Sequence, residues 1–225
     1  MHIDKYKRTA VYKLLEHNEP SKVRANRENV NSRLTHKNYN FVSGNGYDNF
    51  KKVFDCDDIH KSNRRDLNVL CSVVLTVPNN LPESRRFEFF KHAFMFFNSR
   101  YKCPCVSAWV HNDEKKKYLK DGKIEYSRSH LHYAFVPIAY DEKLEKYKIS
   151  YKDVITRDDL WKLHIDFKDY IDKKMKLNLE ILNGATDNGN KSVLQLKNQS
   201  LKNNIENLEK LKKRVQNEIE RELCR

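Results

Sequence analysis

No run of the 225-residue chain approaches the roughly 18 uninterrupted apolar residues that a membrane span requires. Met1 to Arg8 lead into no long apolar stretch, so no secretory leader is expected and a cytoplasmic location is. Glycine and proline are scarce, five of each, which excludes collagen-like and Pro/Gly-rich architectures. The five cysteines are odd in number and form no Cys-x2-Cys pair, which argues for reduced thiols rather than a disulfide framework. Cys103 and Cys105 alternate around Pro104 and would share one face of a strand, but a zinc site there lacks further partners. Internal repeats and low-complexity blocks are also missing.

Negative charge is short as well. Forty-four Lys and Arg face 31 acids, a net charge of +13, which points to a polyanionic partner, nucleic acid being the commonest. Residues 1–65 carry 14 basic and 8 acidic side chains, are rich in Asn, and show little apolar periodicity beyond Ala10 to Leu15. Tyr and Phe together number 23, enough for a real core in a chain of this length and too many for a disordered one.

From Leu67 onward the pattern turns globular. Leu67–Val77 reads as a buried strand ended by Pro78. Pro82–Arg100 reads as an amphipathic helix whose core stripe is Phe87, Phe90, Phe94 and Phe97. Strands are expected at Val106–His111 and His130–Ile138, with a tight turn at Asp121-Gly122 between them and a shorter extended piece at Tyr147–Val154. Thr156 is placed to cap a helix running to about Lys174, with Asp159 at the capping-box position. Leu177–Leu182 reads as a last short strand or the end of that helix. Val193–Leu223 is a basic helix with Leu201, Ile205, Leu208, Val215 and Ile219 at coiled-coil spacing. The expected class is α+β, an antiparallel sheet with flanking helices. The expected domains are 1–190 and a C-terminal coiled-coil-like helix over 191–225, a surface for a homodimer.

The chemistry concentrates in histidines. His130 and His132 stand two apart on an apolar strand, so both point to one face while Leu131 points to the other. Paired imidazoles are poor core material unless hydrogen-bonded or bound to metal. His111 closes the preceding strand, and Glu114 follows it. If the two strands are neighbours, three imidazoles and one carboxylate meet, a set suited to a divalent transition metal with room left for a phosphate oxygen. A second cluster lies upstream: His17-Asn18-Glu19, then Arg24, Arg27 and Arg33, then Asn38-Tyr39-Asn40-Phe41. A His or Tyr near a metal is a nucleophile candidate, and the arginines are candidates to neutralise phosphate.

These motifs resemble those of the MobV-type plasmid mobilisation relaxases, the Mob/Pre plasmid recombination enzymes. That family opens with His-Asn-Glu-Arg, here His17-Asn18-Glu19-Pro20. It continues with Asn-x-x-Arg and a nearby Asn-Tyr, here within Asn29 to Tyr39. It ends with His-x-Asp-Glu, a spacer and Pro-His-x-His, here His111-Asn112-Asp113-Glu114 and Ser129-His130-Leu131-His132. Pro20 stands where the family has Arg, Ser129 where it has Pro, and the spacer of 15 residues after Glu114 is longer than the family's. A chain that stops after one C-terminal helix would be a compact or truncated member.

The resemblance implies a paired-histidine endonuclease fold. It implies metal-dependent nicking of one strand at a plasmid transfer origin, through a covalent histidine–5′-phosphate intermediate that is later resealed. The partner would be single-stranded or supercoiled plasmid DNA. The cofactor would be a divalent metal, manganese first, with magnesium or another transition metal as alternatives, held by His111, Glu114, His130 and His132. His17 would be the nucleophile and Tyr39 its rival, with Glu19 and Arg33 in the catalytic set and Arg24, Arg27 and Asn38 on the DNA. Two other readings stay open: a DNA-binding mobilisation or replication module without catalysis, and a metal-dependent nuclease that uses water.

Overall fold

The computed structural model describes residues 1–19, 30–114 and 128–181, the backbone of 117–120 and 123–126, and isolated positions between 202 and 212. The chain divides into two compact units. Met1–Lys116 with Tyr126–Leu182 form the first, and Lys117–Glu125 with Asn183–Arg225 the second. Arg24, Arg27, the Asp121-Gly122 turn, the boundary near 190 and most of the C-terminal helix lie outside the described residues.

The first unit is built on a five-stranded sheet. β1 (His2–Lys7) runs directly into helix α1 (Arg8–Asn18). A short 3₁₀ helix over Ser32–Lys37 leads to β2 (Tyr39–Asn40), then α2 (Gly46–Phe54), β3 (Ile59–His60) and β4 (Asn68–Thr76). Helix α3 (Arg86–Tyr101) precedes β5 (Cys105–His111). β6 (Lys117–Lys120) and β7 (Lys123–Tyr126) pair as a hairpin of their own. β8 (His130–Phe135), β9 (Ile138–Asp141), β10 (Lys146–Ile149), α4 (Tyr151–Val154) and α5 (Arg157–Met175) follow. The large sheet is ordered β1-β4-β8-β5-β2, and every neighbouring pair in it is antiparallel. β3, β10 and β9 form a separate three-stranded sheet.

The sheet buries both faces. β8 is central, all six of its residues are buried, and its alternation sends them to two different cores. Leu131, Tyr133 and Phe135 join α3 and α5, where Phe89, Phe97 and Phe167 are fully enclosed. Ala134 joins Val11 and Leu15 of α1 and Phe50 and Phe54 of α2 on the other side. His130 and His132 share that second face.

Most of the expected elements are present with small shifts in their ends. Thr156 does cap α5, its hydroxyl accepting from the Asp159 amide at 3.1 Å. Four details differ. The strand from His130 ends at Phe135, and Pro137 passes the chain to β9 in the second sheet. The extended piece after Tyr147 is strand only to Ile149 and then turns into α4. Leu177–Ile181 form no strand, although Leu179 is buried in the core. The phenylalanine stripe of α3 is rotated: Phe89, Phe90, Phe96 and Phe97 are buried, while Phe87 is 57% exposed. Consecutive aromatics widen the apolar arc of α3 beyond a single stripe, so spacing alone did not choose the inner residues.

Arg100 locks α3 to α5. Its Nε donates to Asp159 at 2.6 Å and its Nη1 to Asp166 at 2.8 Å, while the Tyr101 hydroxyl donates to the second oxygen of Asp159 at 3.2 Å. Arg100→Ala leaves Asp159 with one partner fewer in a mostly enclosed position, and a loss of about 2 kcal/mol in urea unfolding is expected.

Candidate metal centre and nucleophile

The sheet register assembles the histidines. His111 of β5 lies directly opposite His130 of β8, and His132 lies opposite Trp109. Ring centroids are 5.3 Å apart for His111–His130, 4.7 Å for His111–His132 and 4.9 Å for His130–His132. The fourth imidazole comes from α1. His17, in the last turn of that helix, places its ring 6.0 Å from His111 and 5.6 Å from His132.

Glu114 completes the group despite the long spacer after it. Its backbone bridges Val30, the Asn31 amide donates to the Asp113 carbonyl at 2.7 Å, and the Thr35 hydroxyl donates to the Asp113 carboxylate at 3.0 Å. The segment after β5 is thereby tied to the start of the 3₁₀ helix, and the Glu114 carboxylate is held among the rings. Oε1 lies 3.6 Å from His111 Nδ1 and 4.0 Å from His17 Nε2, and Oε2 lies 3.6 Å from His130 Nε2.

Backbone carbonyls fix two tautomers. His111 Nε2 is 2.8 Å from the Asn18 carbonyl, and His130 Nδ1 is 2.9 Å from the Arg128 carbonyl. A carbonyl only accepts, so those nitrogens carry the protons. The lone pairs then sit on His111 Nδ1 and His130 Nε2, the two nitrogens that face Glu114. Holding a ligand's far nitrogen in this way is how proteins orient metal-binding imidazoles. His132 is buried with neither ring nitrogen hydrogen-bonded. Burial, and secondarily the nearby His111, His130 and His17, push its pKa well below the usual histidine value, so it stays a neutral donor.

The donor set fits a divalent ion. Ligand atoms of His17, His111, Glu114 and His132 all lie within 4.8 Å of one another. Ligands bonded to one ion at about 2.0–2.2 Å stand roughly 3–4 Å apart, close to the separations seen around Glu114. The orphaned nitrogens of His132 are the polar atoms such an ion would satisfy. Among the described residues this is the one cluster with ligand geometry, and it includes no cysteine.

The remaining expected site residues fall elsewhere. Glu19 is absorbed by structure: its Oε1 accepts from the Gly46 amide at 2.5 Å and its Oε2 from the Asn45 amide group at 2.7 Å, at the start of α2. A Cβ on Gly46 would lie 3.1 Å from Ser107 Cβ and 3.2 Å from Glu19 Oε1, so glycine allows this close approach. Glu19→Gln is expected to cost about 1–2 kcal/mol in thermal unfolding and to leave metal affinity unchanged. Arg33 is exposed on the 3₁₀ helix. Asn38 accepts from the Asn112 amide at 2.7 Å and so braces the end of β5. Tyr39 pairs with Val110, whose side chain belongs to the α3/α5 core, so it faces away from the histidines. Burial pushes its hydroxyl up to about 12, and its ring packs 5.4 Å from both Phe41 and Phe87. Sequence reasoning passed over Asn18, Val30, Thr35 and Asp113. Of these Asn18 and Asp113 carried a signal, through their places in the His-Asn-Glu and His-Asn-Asp-Glu motifs.

An antiparallel sheet that gathers imidazoles and a carboxylate, with a further histidine delivered by a helix end, defines a metal-site protein of the paired-histidine type. The sequence matches the plasmid recombination enzyme family, Mob/Pre, over residues 1–180. The chain belongs to that family: it is a MobV-type relaxase. Its fold is similar to that of the MobM relaxase domain, as solved with manganese and a 22-nucleotide plasmid pMV158 oriT DNA at pH 4.6. That likeness has a TM-score of 0.65 and 21% identity, and covers 88% of this chain and 97% of the other. The pH 6.8 structure, also Mn-bound, with oriT DNA carrying a 3′ thiophosphate, gives a TM-score of 0.67 at 21% identity over 88% and 96% of the chains. A third, with 26-nucleotide oriT DNA, gives 0.57 at 17% identity over 87% and 97%. No curated protein matches the chain.

Proposed function

We propose that this relaxase nicks one strand of plasmid DNA at a transfer origin, with His17 as the nucleophile, and later rejoins the ends. The observation that carries the reading is the delivery of His17 by the end of α1 onto the ligand set, its Nε2 4.0 Å from Glu114 and its ring 5.6 Å from that of His132. His111, His130 and His132, with Glu114, hold the divalent ion, and manganese is the first choice because two of the structurally similar relaxase domains contain it. A bound ion supplies Lewis acidity at the scissile phosphate.

The chain's own groups do the rest. His17 attacks phosphorus through a ring nitrogen. A P–N bond forms while the bond to the 3′ oxygen breaks, leaving a phosphoramidate and a 3′ hydroxyl. Glu114 faces His17, its Oε1 4.0 Å from Nε2, and orients the ring; the proton the ring gives up passes to solvent, which returns one to the departing 3′ oxygen. Because the P–N bond keeps the energy of the phosphodiester, attack by a 3′ hydroxyl reverses the step without ATP. Arg33 is assigned to the catalytic set, to balance charge in the transition state, and Arg24, Arg27 and Asn38 to the DNA, the arginines as phosphate partners. The protein acts in the cytoplasm as residues 1–190 with an appended basic helix that supports a homodimer. Among the described residues no helix is long and apolar enough to cross a membrane.

A second reading has one observation in its favour. His17 lies within ligand distance of His111, Glu114 and His132, so it is able to serve as a ligand while water attacks. The deciding experiment incubates the protein and Mn²⁺ with end-labelled single-stranded DNA from its own plasmid and runs a denaturing gel. A slow, acid-labile band supports the histidine adduct. Cut DNA without a slow band assigns the attack to water, and an acid-stable band lost in Tyr39→Phe assigns it to tyrosine.

With a net charge of +13, binding is expected to weaken steeply with salt. If six phosphates are neutralised, affinity for single-stranded DNA falls by a few hundredfold between about 50 and 200 mM salt. Anisotropy titrations over that range check it, and a flat response would remove the electrostatic basis of the reading.

A further inference from the structure

We infer that Tyr39, Phe41 and Phe87 form a stacking platform for unpaired bases of the DNA strand, on the sheet face opposite the histidines. The inference rests on the relaxase reading and deepens it.

Phe87 is 57% exposed on a helix that buries Phe89, Phe90, Phe96 and Phe97. It is not a stray ring. Its centroid lies 5.4 Å from Tyr39 and 5.9 Å from Phe41, and Phe41 in turn stacks on Phe94 at 5.2 Å with an interplanar angle of 19°. The outer ring therefore sits on an aromatic base anchored to the core. A base meeting it loses little protein freedom on stacking, and every base offers a π-face.

Position and charge select the occupant. β2 is the edge of the sheet and only two residues long. Asn38 and Tyr39 are consecutive there. The first braces the segment beside His111, and the second turns to the platform, so a strand leaving the metal centre around this edge meets the rings. The helix just upstream presents exposed Arg33, His36 and Lys37, and α3 presents exposed Lys91 one turn beyond Phe87. The nearby acids Glu83 and Glu88 are paired with Arg86 and Arg85. The charge left over is positive. Aromatic faces beside such charge suit single-stranded nucleic acid better than an apolar protein surface.

The test uses the full chain and two probes with equal phosphate counts, an oligothymidylate of about 20 nucleotides and its abasic counterpart, in anisotropy titrations at one salt concentration. The wild type should prefer the base-bearing probe. Phe87→Ala should lower affinity for it by about fivefold or more, leave abasic binding and the salt slope unchanged, and thus shrink the ratio; Phe87→Trp should restore the ratio. The exposed position spares the fold. An unchanged ratio in Phe87→Ala overturns the inference while leaving the relaxase reading standing. Failure of the wild type to bind either probe overturns the inference, and failure to bind DNA of its own plasmid as well overturns both. An unchanged ratio with loss of a dimer in sedimentation assigns the rings to a contact between two copies of the chain.

Discussion

His17→Ala is expected to abolish the covalent protein–DNA adduct and to reduce strand nicking by at least about a thousandfold. The size follows from the role. Removing the attacking atom leaves only binding and electrostatic help, and no other described imidazole at the site comes from a helix end. His111 and His130 each spend one nitrogen on a backbone carbonyl and turn the other toward Glu114. His132 is buried in the central strand β8. Metal affinity separates the two assignments of His17. As the nucleophile it can be removed with manganese binding nearly intact, and calorimetry should show less than about a threefold change. As a ligand its loss should weaken binding by tenfold or more. His17 is only half-buried at a helix terminus, so the fold should survive the change.

The second large effect belongs to His132. His132→Ala is expected to remove manganese-dependent nicking, again by about a thousandfold or more. It should also erase the stabilisation that the metal confers on the folded state. An ion held a thousandfold above its Kd adds about 4 kcal/mol to unfolding, visible as a rise in Tm on adding Mn²⁺ and a fall on adding chelator. In the variant that rise should vanish. Stability without metal should move much less, because the two nitrogens removed make no hydrogen bond and their desolvation is relieved along with the packing that is lost. A variant that keeps the wild-type rise in Tm on adding Mn²⁺ would mark His132 as a packing residue and end its assignment as a ligand.

The parts of this site that were legible in the sequence are those governed by strand periodicity. His130 and His132 two apart on an apolar strand had to share a face, and a preceding strand ending at His111 made a neighbour plausible. The register that sets His111 against His130 was not legible, because it depends on a connection whose turn residues say nothing of strand offset. His17 was a nucleophile candidate by residue type, but only motif resemblance set it at the metal, since nothing local shows that α1 ends over the sheet. The face that Tyr39 takes was not legible for a physical reason. An edge strand of two residues has no alternation to read, so its face is decided by tertiary pairing with Val110. Glu19 looked catalytic because it adjoins His17, yet its carboxylate meets an α2 N-terminus that is 27 residues away in sequence. β1 escaped notice because it is a polar strand at the sheet's edge, where charged side chains discourage pairing with other chains.

The bond from His111 Nε2 to the Asn18 carbonyl links the last turn of α1 to an imidazole proposed as a ligand of the ion, and under that proposal the site would work as a two-way lever. A DNA strand that drew α1 toward the scissile phosphate would also turn that imidazole, and an ion that fixed the imidazole would also fix the helix end. Any factor by which metal tightens DNA binding must then reappear as the factor by which DNA tightens metal binding. A plasmid lacking its transfer origin would leave such an enzyme not only without a substrate but with a weaker hold on its metal.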